Sequence, residues 1–270
     1  MSVYLGIPGR LVELKCPSDQ ATPADDVFTF ERTLEGRVKA QARKLARRRW
    51  SVAVSTATPA DVGALAGFAG GEWGRGPFVW VSADAPVTNM LTPEQSLCDP
   101  STLYTAGVIA AGPLNLGVGG WAGRSFLNPD PSTTFRFGGQ GAPVIPGQKV
   151  TASAYVIGAG ARLQIRWEDA SGAYVANSTS PAQGIAGSAV RAYLTATAPD
   201  NAALAYIQAL STSQAARPAL TWTDTLFEWS DGQGCPKAVI SGLDRRLVLA
   251  LRTPGYGRYA DASFTITEVG

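Results

Sequence analysis

Residues 163–174 read LQIRWEDASGAY. Fold and chemistry both turn on whether the paired carboxylates Glu168 and Asp169 form an acid–base site or close a strand. Leu163, Ile165 and Trp167 share one parity; Gln164, Arg166 and Glu168 share the other. Neighbouring side chains on a strand point to opposite faces, so the first set reads as core and the second as outer surface. Asp169-Ala170-Ser171-Gly172 is a turn sequence. Aspartate bonds forward to backbone amides there, and glycine accepts positive φ. The two carboxylates then cannot converge on one substrate. The stretch predicts a β-hairpin with Trp167 in the core.

The same style extends on both sides. Residues 132–138, 148–158, 189–199, 204–210 and 219–230 read as further short strands, punctuated by glycine, proline and serine. Many short strands at this spacing predict an antiparallel sandwich over residues 98–235. That segment holds 7 Lys/Arg and 8 Asp/Glu, whereas the rest of the chain is basic. Residues 236–270 return to the style of the N-terminal part, with two strands around TPGYGRY. Thirty-five residues are too few for a domain of their own. They are expected to pair with strands of residues 1–97, which makes 98–235 an insertion whose ends lie close together. Cys98 and Cys235 flank it and are expected to be neighbours, as two thiols.

Within residues 1–97, segments 27–36, 50–56 and 76–85 read as strands, and PSDQATPADD reads as a loop. One helix start is clear. Thr58-Pro59-Ala60-Asp61 offers an N-cap threonine, a proline at the first helical position and a carboxylate at the third. Gly70-Gly71 is its stop. The fold class expected is mainly β. It comprises a discontinuous β-barrel or sandwich domain with one helix (1–97 and 236–270), plus an inserted antiparallel β-sandwich of jelly-roll type (98–235).

Composition removes several function classes. The 270 residues include no histidine, which excludes Ser-His-Asp and Cys-His catalysis and takes away the commonest zinc ligand. Three cysteines make neither a disulfide-dense scaffold nor a CxxC metal site. A net charge of +2 implies neither a nucleic-acid nor a membrane partner. No signal peptide and no transmembrane run is read from the sequence. The glycine-rich GVGGWAG (117–123) lacks the lysine and helix that phosphate binding needs. No active-site constellation assembles, so a non-enzymatic role is expected.

Two groups of residues remain. Residues 32–49 hold eight Lys/Arg, among them Arg43, Arg47, Arg48 and Arg49, against Glu35 alone. A phosphate-binding surface is one reading. The favoured one is a solvated or subunit-facing strand and loop, because aromatics do not interleave with the charges as single-strand platforms require. The second group is aromatic. Exposed rings stack on sugars while arginine or aspartate fixes the hydroxyls. Trp121 and Tyr174 sit in loop-like stretches and are the better candidates, with Arg124 beside the first; Trp222 is ambiguous between core and surface.

The pattern VTASAYV, RLQIRWEDASGAYV, RAYLTATAPDNAALAYIQAL and LTWTDTLFEWS resembles jelly-roll carbohydrate-binding modules over about residues 104–230. The resemblance implies a sugar-facing surface. It also implies that Asp224, on the closing strand, is a candidate ligand of a structural calcium ion, with Thr223 where a second aspartate is common. No other cofactor is implied. The outer segments are similar to minor tail proteins of long-tailed actinobacteriophages, of the distal-tail kind. The residues that carry this are YLGIPGRLVELKCP, the stretch from RRRWSVAVSTATPADVGALAGFAGGEWGRGPFVWV to NMLTP, and VISGLDRRLVLALRTPGYGRYADASFTITEVG. That likeness implies a ring, hexamer or trimer, beneath the tail tube, with tail-tube and hub proteins as partners. Host cell-wall glycans are candidate ligands, and the location would be the virion after assembly in the bacterial cytoplasm. A monomeric carbohydrate-binding protein is the main alternative, and a glycan hydrolase the third.

Overall fold

The computed structural model describes every residue except 1, 16–17, 24–27, 33–36, 43–47, 75, 227, 233, 251–257 and 270. The fold is mainly β, with antiparallel sheets throughout and few helices. The chain divides into two compact units. One comprises residues 1–6, 12–83 and 236–270, and the other residues 7–11 and 84–235. Among the described residues no helix is long and apolar enough to cross a membrane.

The first unit is built from strands β1 (Ser2–Ile7), β2 (Arg10–Lys15), β3 (Ser18–Pro23), β4 (Phe28–Arg32), β5 (Val38–Ala42) and β6 (Arg48–Ala57), then helix α1 (Pro59–Gly70) and β7 (Phe78–Val81). Strands β20 (Lys237–Ala250) and β21 (Arg258–Glu268) complete it from the far end of the chain. Seven strands pair in the order β2-β1-β7-β20-β21-β6-β3, while β4 and β5 form a separate hairpin. Residues 18–23, expected as loop, thus form an edge strand antiparallel to β6. Edge strands accept the aspartate and the terminal proline that a central strand would reject.

Period-two burial explains β6. Trp50, Val52 and Val54 are buried, and Arg49, Ser51, Ala53 and Ser55 are exposed. Ala57 would then face solvent, but a bulge intervenes: Ser55 and Thr56 together oppose Asp261 between the Val54–Ala262 and Ala57–Ala260 pairs. Thr56 takes a positive φ of 53°, and its N–H is satisfied by the Asp261 carboxylate at 3.0 Å. The extra residue returns Ala57 to the core. Helix α1 starts on the expected cap: the Thr58 hydroxyl accepts from the Asp61 N–H at 3.2 Å, and Gly71 closes it in the left-handed region. Its buried Leu65 and Phe68 meet the sheet's Trp50, Trp80 and Phe264 in one cluster. Phe68 lies edge-on to Phe78, with ring centroids 4.8 Å apart.

The second unit is a two-sheet sandwich. In chain order it holds α2 (Pro93–Ser96), β8 (Ile109–Ala111), β9 (Leu114–Asn115), β10 (Trp121–Ala122), β11 (Ser125–Leu127), β12 (Phe135–Arg136) and β13 (Ala142–Pro143). It continues with β14 (Lys149–Ile157), β15 (Arg162–Glu168), β16 (Tyr174–Thr179), β17 (Val190–Thr197), β18 (Leu204–Leu210) and β19 (Gln214–Thr221). One sheet runs β17-β14-β19-β11-β8; the other runs β12-β18-β15-β16, with β13 also on β18. Val150, Ala152, Ala154 and Val156 from the first sheet and Leu163, Ile165, Trp167 and Ile207 from the second are buried.

The segments entering and leaving this unit are bonded to one another and to β19. Asn89 is wholly buried. Its Oδ1 accepts from the Leu91 and Leu220 N–H groups at 3.1 Å each, and its Nδ2 donates to the Pro218 and Ser230 carbonyls. Gly232 N–H donates to Ser96 Oγ at 2.9 Å, and Gly234 N–H to the Asn89 carbonyl at 3.4 Å. Residues 84–97 therefore belong to this unit, which starts before Cys98. Cys98 and Cys235 are both buried free thiols, and burial pushes the Cys98 thiol up to about 12.

Candidate functional site

The hairpin that opened the sequence reading has the predicted form. β15 and β16 pair antiparallel, and Asp169 Oδ1 caps the turn by accepting from Ser171 N–H (2.8 Å), Ser171 Oγ (2.6 Å) and Ala173 N–H (2.9 Å). Those bonds hold the Asp169 carboxyl below its ordinary value. Glu168 points the other way, onto the outer face of its sheet. Arg136 Nη2 reaches its Oε1 at 2.6 Å and Arg166 Nε at 2.7 Å. Burial alone would raise the Glu168 carboxyl, but the bonds from Arg166 and Arg136 and the charge of Arg136 outweigh it, and the group sits low. Both carboxylates are therefore committed to structure at neutral pH.

Arg136 is sandwiched between rings, its guanidinium carbon 3.8 Å from the Tyr206 centroid and 4.7 Å from that of Tyr104. Arg166 lies 5.0 Å over Tyr174. One sheet face thus carries a ladder of Tyr104, Arg136, Tyr206, Glu168, Arg166 and Tyr174, whose end members Tyr104 and Tyr174 are exposed. Tyr174 is among the residues the sequence singles out, and Arg136 is not. The signal was present: Phe135 and Phe137 are buried core residues, which turns Arg136 outward.

Trp121 is on the other side of the sandwich. It stands in the β9–β10 hairpin, 63% exposed, and its carbonyl accepts from Arg217 Nη2. That hairpin covers part of the outer face of the β14/β19 sheet, where Leu114, Leu116 and Ala122 pack on Ala216 and Tyr155. Tyr174 and Trp121 therefore lie on opposite faces of the sandwich and do not form one site.

The remaining sequence candidates fall elsewhere. Arg124 is held by Asp99, Nη1 to Oδ2 at 2.6 Å. Trp222 is buried to 8% exposure, and its indole N–H donates to the Pro143 carbonyl at 3.2 Å, so its ring is spent on packing. Asp224 is exposed and bonded to Lys149 Nζ at 3.1 Å, which together with the lysine's charge lowers its carboxyl. Trp222, Asp224 and Lys149 border an open groove of about 550 Å³. The donor set there does not fit a calcium ion: an ammonium already occupies the single carboxylate, and among the described residues no three acidic, cysteine or histidine side chains converge.

In the first unit, Arg43 and Arg47 lie outside the described residues. Arg48 is an internal tie, its Nε 3.0 Å from Glu268 Oε2 and its guanidinium 5.0 Å over the Trp50 ring. Arg49, one residue on, projects from the opposite face of β6 and is exposed.

No protein-family model matches the chain, and no curated protein matches it significantly. Among solved structures, it is similar to the carbohydrate-binding and xylanase modules of a Clostridium thermocellum endo-1,4-beta-D-xylanase complexed with xylohexaose. The TM-score is 0.34 at 14% identity, over 48% of this chain and 27% of that one. It is also similar to the enzymatically active domain of tailspike protein 4 of bacteriophage CBA120, with TM-score 0.35 at 14% identity, over 53% of this chain and 22% of that one. A third likeness, to the VP2 subviral particle of infectious bursal disease virus, spans 99% of this chain and 76% of that one, with TM-score 0.23 and 10% identity. The chain spans about a quarter of the length of the first two structures. All three scores are too low to carry an argument about this chain.

Proposed function

We infer that the protein is a non-enzymatic structural component of a bacteriophage tail tip, whose first unit makes ring contacts and whose sandwich meets host-surface glycans. The nested layout carries this reading: a complete antiparallel sandwich, its two ends tied together through Asn89, is spliced between β7 and β20 of a second β unit. A tail protein that must both assemble and display a module is served by that plan, since insertion leaves the host sheet to close around the splice. The likeness of the outer segments to distal-tail proteins and of the middle to sugar-binding modules points the same way. Antibody raised against residues 84–235 and seen by electron microscopy should label the tip of virion tails. Particles that contain the chain but take no label at the tip would contradict the reading.

The alternative is a monomeric carbohydrate-binding protein, favoured by the exposed Tyr104–Tyr174 ladder alone. Saccharide binding by a strict monomer absent from virions would select it.

A further inference from the structure

The outer face of the β17-β14-β19 sheet carries a feature that the ladder on the opposite sheet does not. Arg191 and Arg217 lie side by side there, and neither forms an ion pair with a carboxylate among the described residues. Arg191 Nη1 donates to the Arg217 carbonyl and Nη2 to Ser153 Oγ, both at 2.6 Å, and its guanidinium lies 5.1 Å over Tyr155. Arg217 donates to the carbonyls of Gly119 and Trp121 and lies 4.5 Å over Trp229. Three other arginines of this sandwich have a carboxylate: Arg124 has Asp99, and Arg136 and Arg166 share Glu168. Neither Arg191 nor Arg217 reaches a carboxylate among the described residues.

Partly buried cations without a counter-charge are costly, and two together repel. Burial pulls Arg191 down to about 10; Tyr155 opposes the shift and the charge of Arg217 adds to it. The backbone is bent to create the arrangement. In β19, Arg217 and Pro218 together oppose Ala154, and Arg217 adopts a positive φ of 49°. Such a bulge re-aims a side chain, and residues held in this region cluster at binding sites. Each guanidinium spends two of its five N–H groups on the protein and keeps others for a ligand. Trp121, exposed beside them, supplies a stacking wall of the kind sugar rings use.

We propose that this face is a receptor for an acidic saccharide, with the anionic group received between Arg191 and Arg217 and the sugar ring against Trp121. The proposal rests on the glycan-facing role given to the sandwich above and fixes the class of glycan. An anion there completes the missing half of the ion pairs, while a neutral sugar leaves the two cations as they are. Carboxylate and phosphate share this chemistry. Arginine forks match both, so the test separates the sources.

The full chain is titrated calorimetrically with a galacturonate oligosaccharide, a glycerol-phosphate oligomer and a neutral xylo-oligosaccharide. Binding of an acidic probe at least ten-fold tighter than the neutral one, weakening as salt is added, is expected. Arg191→Met and Arg217→Gln should each reduce acidic binding by ten-fold or more, and Trp121→Ala should reduce it without altering the melting temperature. Arg191→Met also removes the bonds to the Arg217 carbonyl and Ser153 Oγ and should lower the melting temperature of the unliganded protein; Arg191→Lys, which keeps the charge, should retain more of the acidic binding than Arg191→Met, whereas a purely structural arginine would lose binding only in step with stability. Equal binding of acidic and neutral probes, or acidic binding untouched by all three substitutions, overturns the anion site and leaves the glycan role standing. Binding of no probe overturns both. The uronate and phosphate arms identify which anion is preferred.

Discussion

Asn89 shows how much one side chain decides. It serves two backbone donors and two backbone acceptors from three chain segments at once. Truncation leaves buried peptide groups unpaired, each costing about 1–3 kcal/mol. Asn89→Ala should therefore destabilise the sandwich by about 3 kcal/mol or more in urea denaturation, while Asn89→Asp keeps only the acceptor half. Glu168 gives a pH-dependent counterpart. Its carboxyl is lower in the folded state than in the unfolded chain, so its contribution is present above the ordinary carboxylate range. That contribution is lost as pH falls through the lowered folded value. Melting temperature should drop along that acid limb. Glu168→Gln should flatten the limb and cost about 3 kcal/mol near neutrality, because Arg136 keeps its charge and loses its partner. None of this was readable from spacing. Asn89 bonds to residues more than a hundred positions away, and no local pattern marks such a residue.

Elements were more legible where local physics decides them. The Thr58-x-x-Asp61 cap predicts the start of α1, and the structure places the helix at Pro59. Thr58→Ala should cost about 1 kcal/mol and lower the first unit's transition only. The turn at Asp169–Gly172 and the strands at 148–158, 161–167 and 204–210 follow from alternation, and they appear within a residue or two. β19 was misjudged. The sequence pointed to 219–230, whereas the strand is Gln214–Thr221. Alanine-rich QAARPAL has weak β character and contains a proline, which a central strand tolerates only at a bulge, and the bulge at Arg217–Pro218 supplies one. The aromatic run 222–230 looked like strand because tryptophan and phenylalanine have high β propensity, but Trp222 is drawn inward to Pro143 instead. The ends of the insertion illustrate the limit at this scale: Gly232 packs so close to the Leu91 carbonyl that a Cβ there would collide with it. Gly232→Ala should loosen the entry and exit segments, seen as faster amide exchange at Leu91 and Leu220 with the β14–β17 amides unchanged.

At the scale of the whole molecule, the shift in charge and the return of the N-terminal style after Cys235 point to an insertion from residue 98, while the structure groups residues 84–97 with the sandwich. Composition marks where a charge balance changes, not where backbone bonds run, and residues 84–97 are bonded to β19. Because the sandwich closes its own ends, residues 84–235 expressed alone should melt cooperatively; a fragment without a transition would contradict that. The sugar-site candidates fared differently. Trp121 and Tyr174 are exposed but belong to opposite faces, because the strand parity that turns each outward does not say which sheet carries it. For assembly, Arg48 is a poor probe, since charge reversal there breaks the Glu268 pair within the sheet. Arg49→Glu reverses an exposed charge on the same strand without touching the Arg48–Glu268 pair.

The solution mass of the purified chain by light scattering, across a range of concentrations, bears most directly on the tail-tip reading. The account predicts a discrete closed assembly, trimeric or hexameric, that Arg49→Glu reduces to a folded monomer. A strict monomer at every concentration, in wild type and variant alike, would contradict it.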